Sequence, residues 1–268
     1  MAAFLLSIFL LGTTNSARSA EDIPVDVELV LAVDLSLSMM PEELEIQRAG
    51  YSSALRDPAV VSAMLSGIQG RVAMTFVEWA GFGEQVVVIP WQLIASADDA
   101  DRFAGRLKSQ RRSGWRRTSL SGALAFSASL FEENGFSSGR KIIDISGDGP
   151  NNDGPIVTRA RDATVERGII VNGLPLMTQI GLMGVFNIDD LDSYYQECVI
   201  GGPGSFVLPV VGWDQFASAV RRKLVLELSG RIPSSAKDKR PQLIGFHQTG
   251  GAYDCLIGEK LWEMQYGR

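Results

Sequence analysis

Short apolar runs alternate with longer amphipathic segments along this chain. Apolar and β-rich runs predict strands at residues 27–33, 71–79, 85–91, 141–146, 169–174 and 205–211. Segments with helical spacing predict helices at residues 41–55, 96–108, 119–131, 156–167, 190–198 and 213–228. Pro41 followed by acidic residues favours a helix start, and Ser96 is a suitable N-cap. The stretch after Gly230 has no clear pattern.

This alternation predicts an α/β fold. It is typical of a doubly wound, mostly parallel sheet with helices on both faces. The Gly81-Phe82-Gly83 linker predicts a hairpin, and therefore one antiparallel edge strand. In such folds ligands bind at the carboxyl ends of the strands, so polar side chains at those ends are the first candidates for function.

Three strand-to-helix junctions carry such side chains. Asp34, Ser36 and Ser38 follow the first strand, Thr118 precedes a helix, and Asp148 follows the strand at 141–146. The set contains only carboxylates and hydroxyls, which are the ligands of a hard cation such as Mg²⁺. Mn²⁺ and Ca²⁺ are the other candidates. Each junction alone has a simpler explanation, because serine and threonine cap helices and Asp-Gly forms turns.

The three junctions in this order resemble the metal-ion-dependent adhesion site of von Willebrand factor A domains. More closely, VELVLAVDLSLSM, RRTSLSGALAF, KIIDISGDGPNN and YYQECVIGGPGSF are similar to a family of uncharacterised exported bacterial proteins with an A-like domain. The resemblance covers residues 25–230, and the CLIGEK stretch at 255–260 also fits it. Residues 231–268 are then a C-terminal extension packed on the domain.

The resemblance implies roles for the site residues. In A domains the two serines bind the metal directly, the threonine directly or through water, and the aspartates largely through water. These positions correspond to Ser36 and Ser38, then Thr118, then Asp34 and Asp148. A carboxylate of a partner protein typically fills the open coordination position. One residue departs from the pattern: Gly147 stands where many A domains have serine or threonine. Asn151, Asn152 and Asp153, which follow, are candidates for further contacts with the site.

The first twenty residues have the pattern of a secretory signal, with an apolar run followed by small and polar residues. The run is too short to span a bilayer, and no later stretch is long enough. We therefore expect a periplasmic or secreted protein without an integral membrane segment after cleavage. The alternative is a buried N-terminal helix. Cys198 and Cys255 suit one disulfide in an exported protein, whereas two free thiols are expected if the signal is misassigned.

The sequence favours a binding protein over an enzyme. A net charge of -6 disfavours nucleic acid as a partner. The only histidine, His247, is far from any nucleophile motif, so a serine hydrolase triad is not indicated. A basic cluster lies next to Thr118 and consists of Arg111, Arg112, Arg116 and Arg117. It is a solvated loop, an attractant for an acidic partner or, together with Trp115, a binding site for a polyanion. The alternative functions are a metal-assisted hydrolase of phosphoesters or esters, and a site whose cation only stabilises the fold.

Overall fold

A central β-sheet organises the chain in the computed structural model, which describes residues 22–36, 40–107, 117–178, 188–230 and 253–267. The signal peptide predicted at residues 1–20 lies outside these ranges, as does Ser38. The strands are β1 (Ile23–Pro24), β2 (Glu28–Asp34), β3 (Val72–Trp79), β4 (Gln85–Ile94), β5 (Phe136–Ser137), β6 (Lys141–Gly147) and β7 (Ile169–Pro175).

The five-stranded sheet has the order β4-β3-β2-β6-β7. Strand β2 pairs in parallel with β3 on one side and β6 on the other, and β7 extends the parallel arrangement beyond β6. Strand β4 folds back antiparallel on β3 and forms one edge. The predicted fold class is therefore confirmed. Strands β1 and β5 form a separate parallel pair.

Helices cover both faces of the sheet. They are α1 (Pro41–Ala54), α2 (Pro58–Leu65), α3 (Ala97–Arg106), α4 (Leu120–Ser129), α5 (Val157–Glu166), α6 (Leu191–Tyr194), α7 (Phe216–Ser229) and α8 (Ile257–Tyr266). Side chains alternate between the faces of a strand, so β2 sends Leu29 and Leu31 to one core and Val30 and Ala32 to the other. Helices α1, α2, α3 and α7 pack on the first core, and α4, α5 and α6 pack on the second. Among the described residues, no helix combines the length and apolar character needed to cross a membrane.

The prediction of a strand at residues 205–211 is wrong. The segment touches β7 only through isolated bridges, at Val207 and Val210. The N–H groups of Leu208 and Val210 donate to Gly173 O and Pro175 O, but Pro175 on β7 has no N–H to donate to Leu208 O, so the ladder is interrupted there. The segment therefore lies along the edge of the sheet without extending it.

Two helices were not foreseen. Helix α2 begins at Pro58, where the Asp57 side chain accepts a hydrogen bond from the Ala59 N–H at 2.9 Å, so a new N-cap follows α1 almost immediately. Helix α8 lies in the region after Gly230 that was expected to be irregular. Helix α2 has only eight residues, which leaves little helical periodicity to read from the sequence.

A buried charge cluster links α7 to the sheet. Lys223 Nζ lies 2.7 Å from Asp144 Oδ1 on β6 and 2.5 Å from Glu227 Oε1 one helical turn away. Asn172 Nδ2 on β7 donates to the same Glu227 oxygen at 3.0 Å. One lysine thus faces two carboxylates. Burial, and then the charge of Asp144, raise the pKa of Glu227 to about 8, although Lys223 opposes the shift.

We expect the free energy of unfolding to fall as the pH rises from 4.5 to about 8. The folded state holds the Glu227 proton up to about pH 8, whereas the unfolded chain releases it near the ordinary value of 4.5. Above 4.5 the unfolded state therefore binds fewer protons, and this group can lower the free energy of unfolding by at most about 1.4 kcal/mol per pH unit. Urea unfolding between pH 5 and pH 8.5 should show a smaller decline in the Glu227→Gln variant. Equal declines in the two proteins would contradict this assignment.

Candidate metal centre

Two carboxylates meet at the carboxyl ends of neighbouring strands. Asp34 is the last residue of β2, and Asp148 directly follows Gly147, the last residue of β6. Because β2 and β6 are parallel, with Val33 opposite Ser146, these ends lie side by side. The backbone N–H of Asp148 donates a hydrogen bond to the Asp34 carboxylate. The sheet itself therefore brings together two of the predicted site residues.

The Asp34 carboxylate is fully buried beside a second negative charge. Its Oδ1 accepts a hydrogen bond from the Ser36 N–H at 2.7 Å, and the Ser36 hydroxyl also donates to the carboxylate. Burial, and then the nearby Asp148, raise the pKa of Asp34 well above its usual range. Its buried Oδ2 has no hydrogen-bond partner among the described residues. A cation at this position would offset both the burial and the like-charge repulsion.

Thr118 lies in a loop that hydrogen bonds hold at the carboxyl-terminal edge of the sheet. It precedes α4, whose N-cap is Ser119. The Ser119 N–H donates to Ala80 O at 2.7 Å, just after β3. The Thr118 N–H donates to Asn152 Oδ1 at 3.0 Å, and the Asn152 N–H returns a bond to Thr118 O at 2.9 Å. These bonds hold Thr118 beside the segment that follows Asp148.

Asn151, Asn152 and Asp153 connect the neighbouring loops. Asn151 Oδ1 accepts from the Ser121 N–H at 3.0 Å, at the start of α4. Asp153 accepts from the Phe82 N–H at 2.9 Å and from Arg117 Nη1 at 2.8 Å. Asn152 thus contacts the predicted site residue Thr118, and the side chains of Asn151 and Asp153 join the neighbouring loops to one another.

The C-terminal segment packs on the loop that follows Asp148. A disulfide joins Cys198, in the turn after α6, to Cys255 just before α8. Asn151 Nδ2 donates to Glu259 Oε1 on α8 at 2.8 Å. Gly258 approaches so closely that a Cβ there would lie 2.0 Å from Asn151 O, so only glycine fits. Helix α8 therefore contacts the backbone of the loop that follows Asp148.

The basic cluster is described only in part. Arg111, Arg112 and Arg116 lie outside the described residues. Arg117 pairs with Asp153, and its guanidinium lies 4.0 Å from the ring centroid of Trp262 on α8. Arg117 thus ties the Thr118 loop to the C-terminal helix.

The donors present fit a hard cation. The side chains of Asp34, Ser36 and Thr118 are buried, and that of Asp148 is half-buried. All the ligand atoms that these four side chains offer are oxygens, which suit a hard cation. Within the described ranges, no cluster of three or more His, Cys, Asp and Glu side chains is arranged to hold a metal. A cation here would depend on hydroxyl ligands, and it would keep part of its water shell.

The fold is that of the von Willebrand factor A class. The chain belongs to the family described as "Protein of unknown function (DUF1194)", whose model matches residues 24–232. No curated protein matches the chain.

Solved structures share the fold at low sequence identity. The pilus adhesin SpaC from Lactobacillus rhamnosus GG has a TM-score of 0.58 and 11% identity, over 78% of this chain and 32% of its own. Proximal thread matrix protein 1 from the mussel byssus, with a zinc-occupied MIDAS motif, has a TM-score of 0.53 and 15% identity, over 78% and 49%. A von Willebrand factor type A protein from Catenulispora acidiphila has a TM-score of 0.46 and 16% identity, over 76% and 43%. The chain thus spans a third to a half of these proteins.

We expect Asn152→Ala to destabilise the protein with or without metal. The substitution leaves the buried Thr118 N–H without its side-chain acceptor, which costs about 1–3 kcal/mol. Urea unfolding in chelator measures the difference, and Gln69→Ala, at an exposed position, is the control. If both substitutions have the same small effect, Asn152 does not hold the Thr118 loop.

Proposed function

We propose that this chain is an exported binding protein that holds one divalent cation and uses it to bind a carboxylate of a protein partner. The proposed ligands are Asp34, Ser36, Ser38, Thr118 and Asp148, and the cation is Mg²⁺, Mn²⁺ or Ca²⁺. The observation that carries this proposal is the buried Asp34 carboxylate, which adjoins Asp148 and has one oxygen without a described partner. Such an arrangement is costly without a positive charge.

The residues have distinct roles in this proposal. A bound cation supplies a Lewis-acidic position that accepts an oxygen from outside the protein. Asp34 and Asp148 act largely through water and offset only part of its charge, while Ser36 and Thr118 contribute neutral oxygens directly. Neutral ligands leave the cation under-neutralised, which favours an anionic sixth ligand. The zinc-occupied MIDAS motif and the adhesin among proteins of the same fold support a binding role of this kind.

The proposal includes export. It assigns residues 1–20 to a signal peptide, 25–230 to the A-like domain and 231–268 to an extension, with the mature protein in the periplasm or secreted. The disulfide between Cys198 and Cys255 supports this location, since disulfides persist in oxidising compartments.

Metal binding is tested by calorimetric titration of the metal-free mature protein with Mg²⁺, Mn²⁺ and Ca²⁺. We expect one site, weakened at least about tenfold in the isosteric Asp34→Asn and Thr118→Val variants. Asp98→Asn, at an exposed position on α3, is the matched control and should bind like the parent. Absence of binding by the parent to any of the three ions, or equal binding by all variants, would contradict the metal site.

Partner chemistry is tested with a displayed random-peptide library selected in Mg²⁺ and eluted with chelator. Enriched peptides should share an Asp or Glu, and replacing that residue by Asn or Gln should abolish binding. Peptides that tolerate the replacement would contradict carboxylate recognition. Sustained metal-dependent turnover of p-nitrophenyl phosphate, lost in Asp34→Asn, would instead support the hydrolase alternative.

A further inference from the structure

Gly147 occupies a position with no space for a side chain. A Cβ there would lie 2.9 Å from Asp34 Oδ2, 2.9 Å from Tyr195 Oη and 3.2 Å from a Trp79 ring carbon. The backbone of Gly147 is not in the left-handed region, so conformational freedom does not explain the glycine. Space explains it: the hydroxyl of Tyr195 comes close to the volume that a serine or threonine side chain would fill.

The two oxygens beside Gly147 are complementary. Tyr195 Oη and Asp34 Oδ2 are both buried, and neither has a hydrogen-bond partner among the described residues. Both lie against one point, so they are no farther apart than twice 2.9 Å. A hydroxyl donates and a carboxylate accepts, so a small rotation of the Asp34 carboxylate or a single water would satisfy both. Leaving two such groups unpaired inside a protein is unfavourable.

The ring of Tyr195 is held in place from several sides. Tyr195 opens the π-helical turn Tyr195–Val199, which follows α6 and includes the disulfide-bonded Cys198. Its ring packs on β7 at Gly173, where a Cβ would lie 2.7 Å from ring atom Cδ1. It also meets the Tyr194 ring edge to face, with centroids 6.4 Å apart. These contacts fix the ring and keep the hydroxyl beside Gly147, within twice 2.9 Å of Asp34 Oδ2.

We propose that Tyr195 is a positioning residue of the metal centre, whose hydroxyl donates to Asp34 directly or through one water and fixes the orientation of that carboxylate towards the cation. This inference rests on the proposed function. Position 147 lacks the hydroxyl that many A domains have there, and the proposal assigns the role of that hydroxyl to Tyr195, which comes from a turn late in the sequence. Removing a group that orients a metal ligand in this way typically lowers metal affinity about 10–100-fold.

The test is the Tyr195→Phe variant, which removes only the hydroxyl. We expect its Mn²⁺ affinity, measured by calorimetry, to fall at least about tenfold. The melting temperature of the metal-free protein should fall no further than in Tyr51→Phe, because each substitution removes one buried hydroxyl that makes one hydrogen bond. The matched control is Tyr51→Phe, a second fully buried tyrosine on the opposite face, whose hydroxyl donates to Ser146 Oγ at 3.4 Å. That control should keep the parental affinity.

A rescue experiment separates positioning from packing. Gly147→Ser alone should be destabilised, because its Cβ meets three neighbours. In the double variant Tyr195→Phe/Gly147→Ser the phenolic oxygen is gone and a hydroxyl returns at position 147. We expect the double variant to bind Mn²⁺ more tightly than Tyr195→Phe. The electron paramagnetic resonance spectrum of bound Mn²⁺ should change in Tyr195→Phe, and in the double variant it should return towards the parental form.

The outcomes distinguish the two proposals. If the parent binds Mn²⁺ and loses it in Asp34→Asn, while Tyr195→Phe binds like the parent, the role of Tyr195 is overturned and the metal site stands. If the parent binds no Mn²⁺, the metal site is overturned, and the positioning role is overturned with it. A loss of affinity in Tyr195→Phe that equals the loss in Tyr51→Phe would also overturn the role, since it would reflect packing alone.

Discussion

The parallel pairing of β2 with β6 is the constraint on which the site depends. It brings the buried carboxylate of Asp34 next to the start of the loop that carries Asp148. Two negative charges this close, with one inside the protein, repel each other and lose hydration. The surrounding structure moderates this repulsion through the hydrogen bonds that Asp34 accepts from Ser36 and Asp148. A cation would complete the compensation, which is why the same geometry that fixes the fold also indicates the function.

The remaining elements hold that edge in place. The Asn152 pair with Thr118 joins two loops from different crossovers, and Asp153 links the same loops through Arg117. Helix α8 packs over these residues, and the disulfide ties its segment to the turn that carries Tyr195. Residues 253–267 lie beyond the part matched by the family, yet they contact the loops around the site. Rigid support of this kind preserves ligand geometry, on which metal affinity depends.

The sequence predicted what local patterns encode. Apolar runs followed by polar residues gave the parallel strands and their ends, so the position of Asp34 and Asp148 at one edge followed from topology alone. Residues 205–211 were misread because composition favoured a strand, while Pro175 on the neighbouring β7 has no N–H with which to continue the ladder. The role of Tyr195 could not be read from sequence, since it depends on packing between a late turn and β7. The departure at Gly147 was visible, but its cause became clear only from the space around it.

The most direct test of the central claim is anomalous diffraction from crystals of the mature protein grown with Mn²⁺. The account predicts one peak at the carboxyl ends of β2 and β6, within ligand distance of the Ser36 hydroxyl and beside Asp34 and Asp148. It also predicts that Tyr195 Oη is hydrogen-bonded to Asp34, directly or through one water. A saturated crystal with Mn²⁺ bound elsewhere and no peak at this edge would contradict the account.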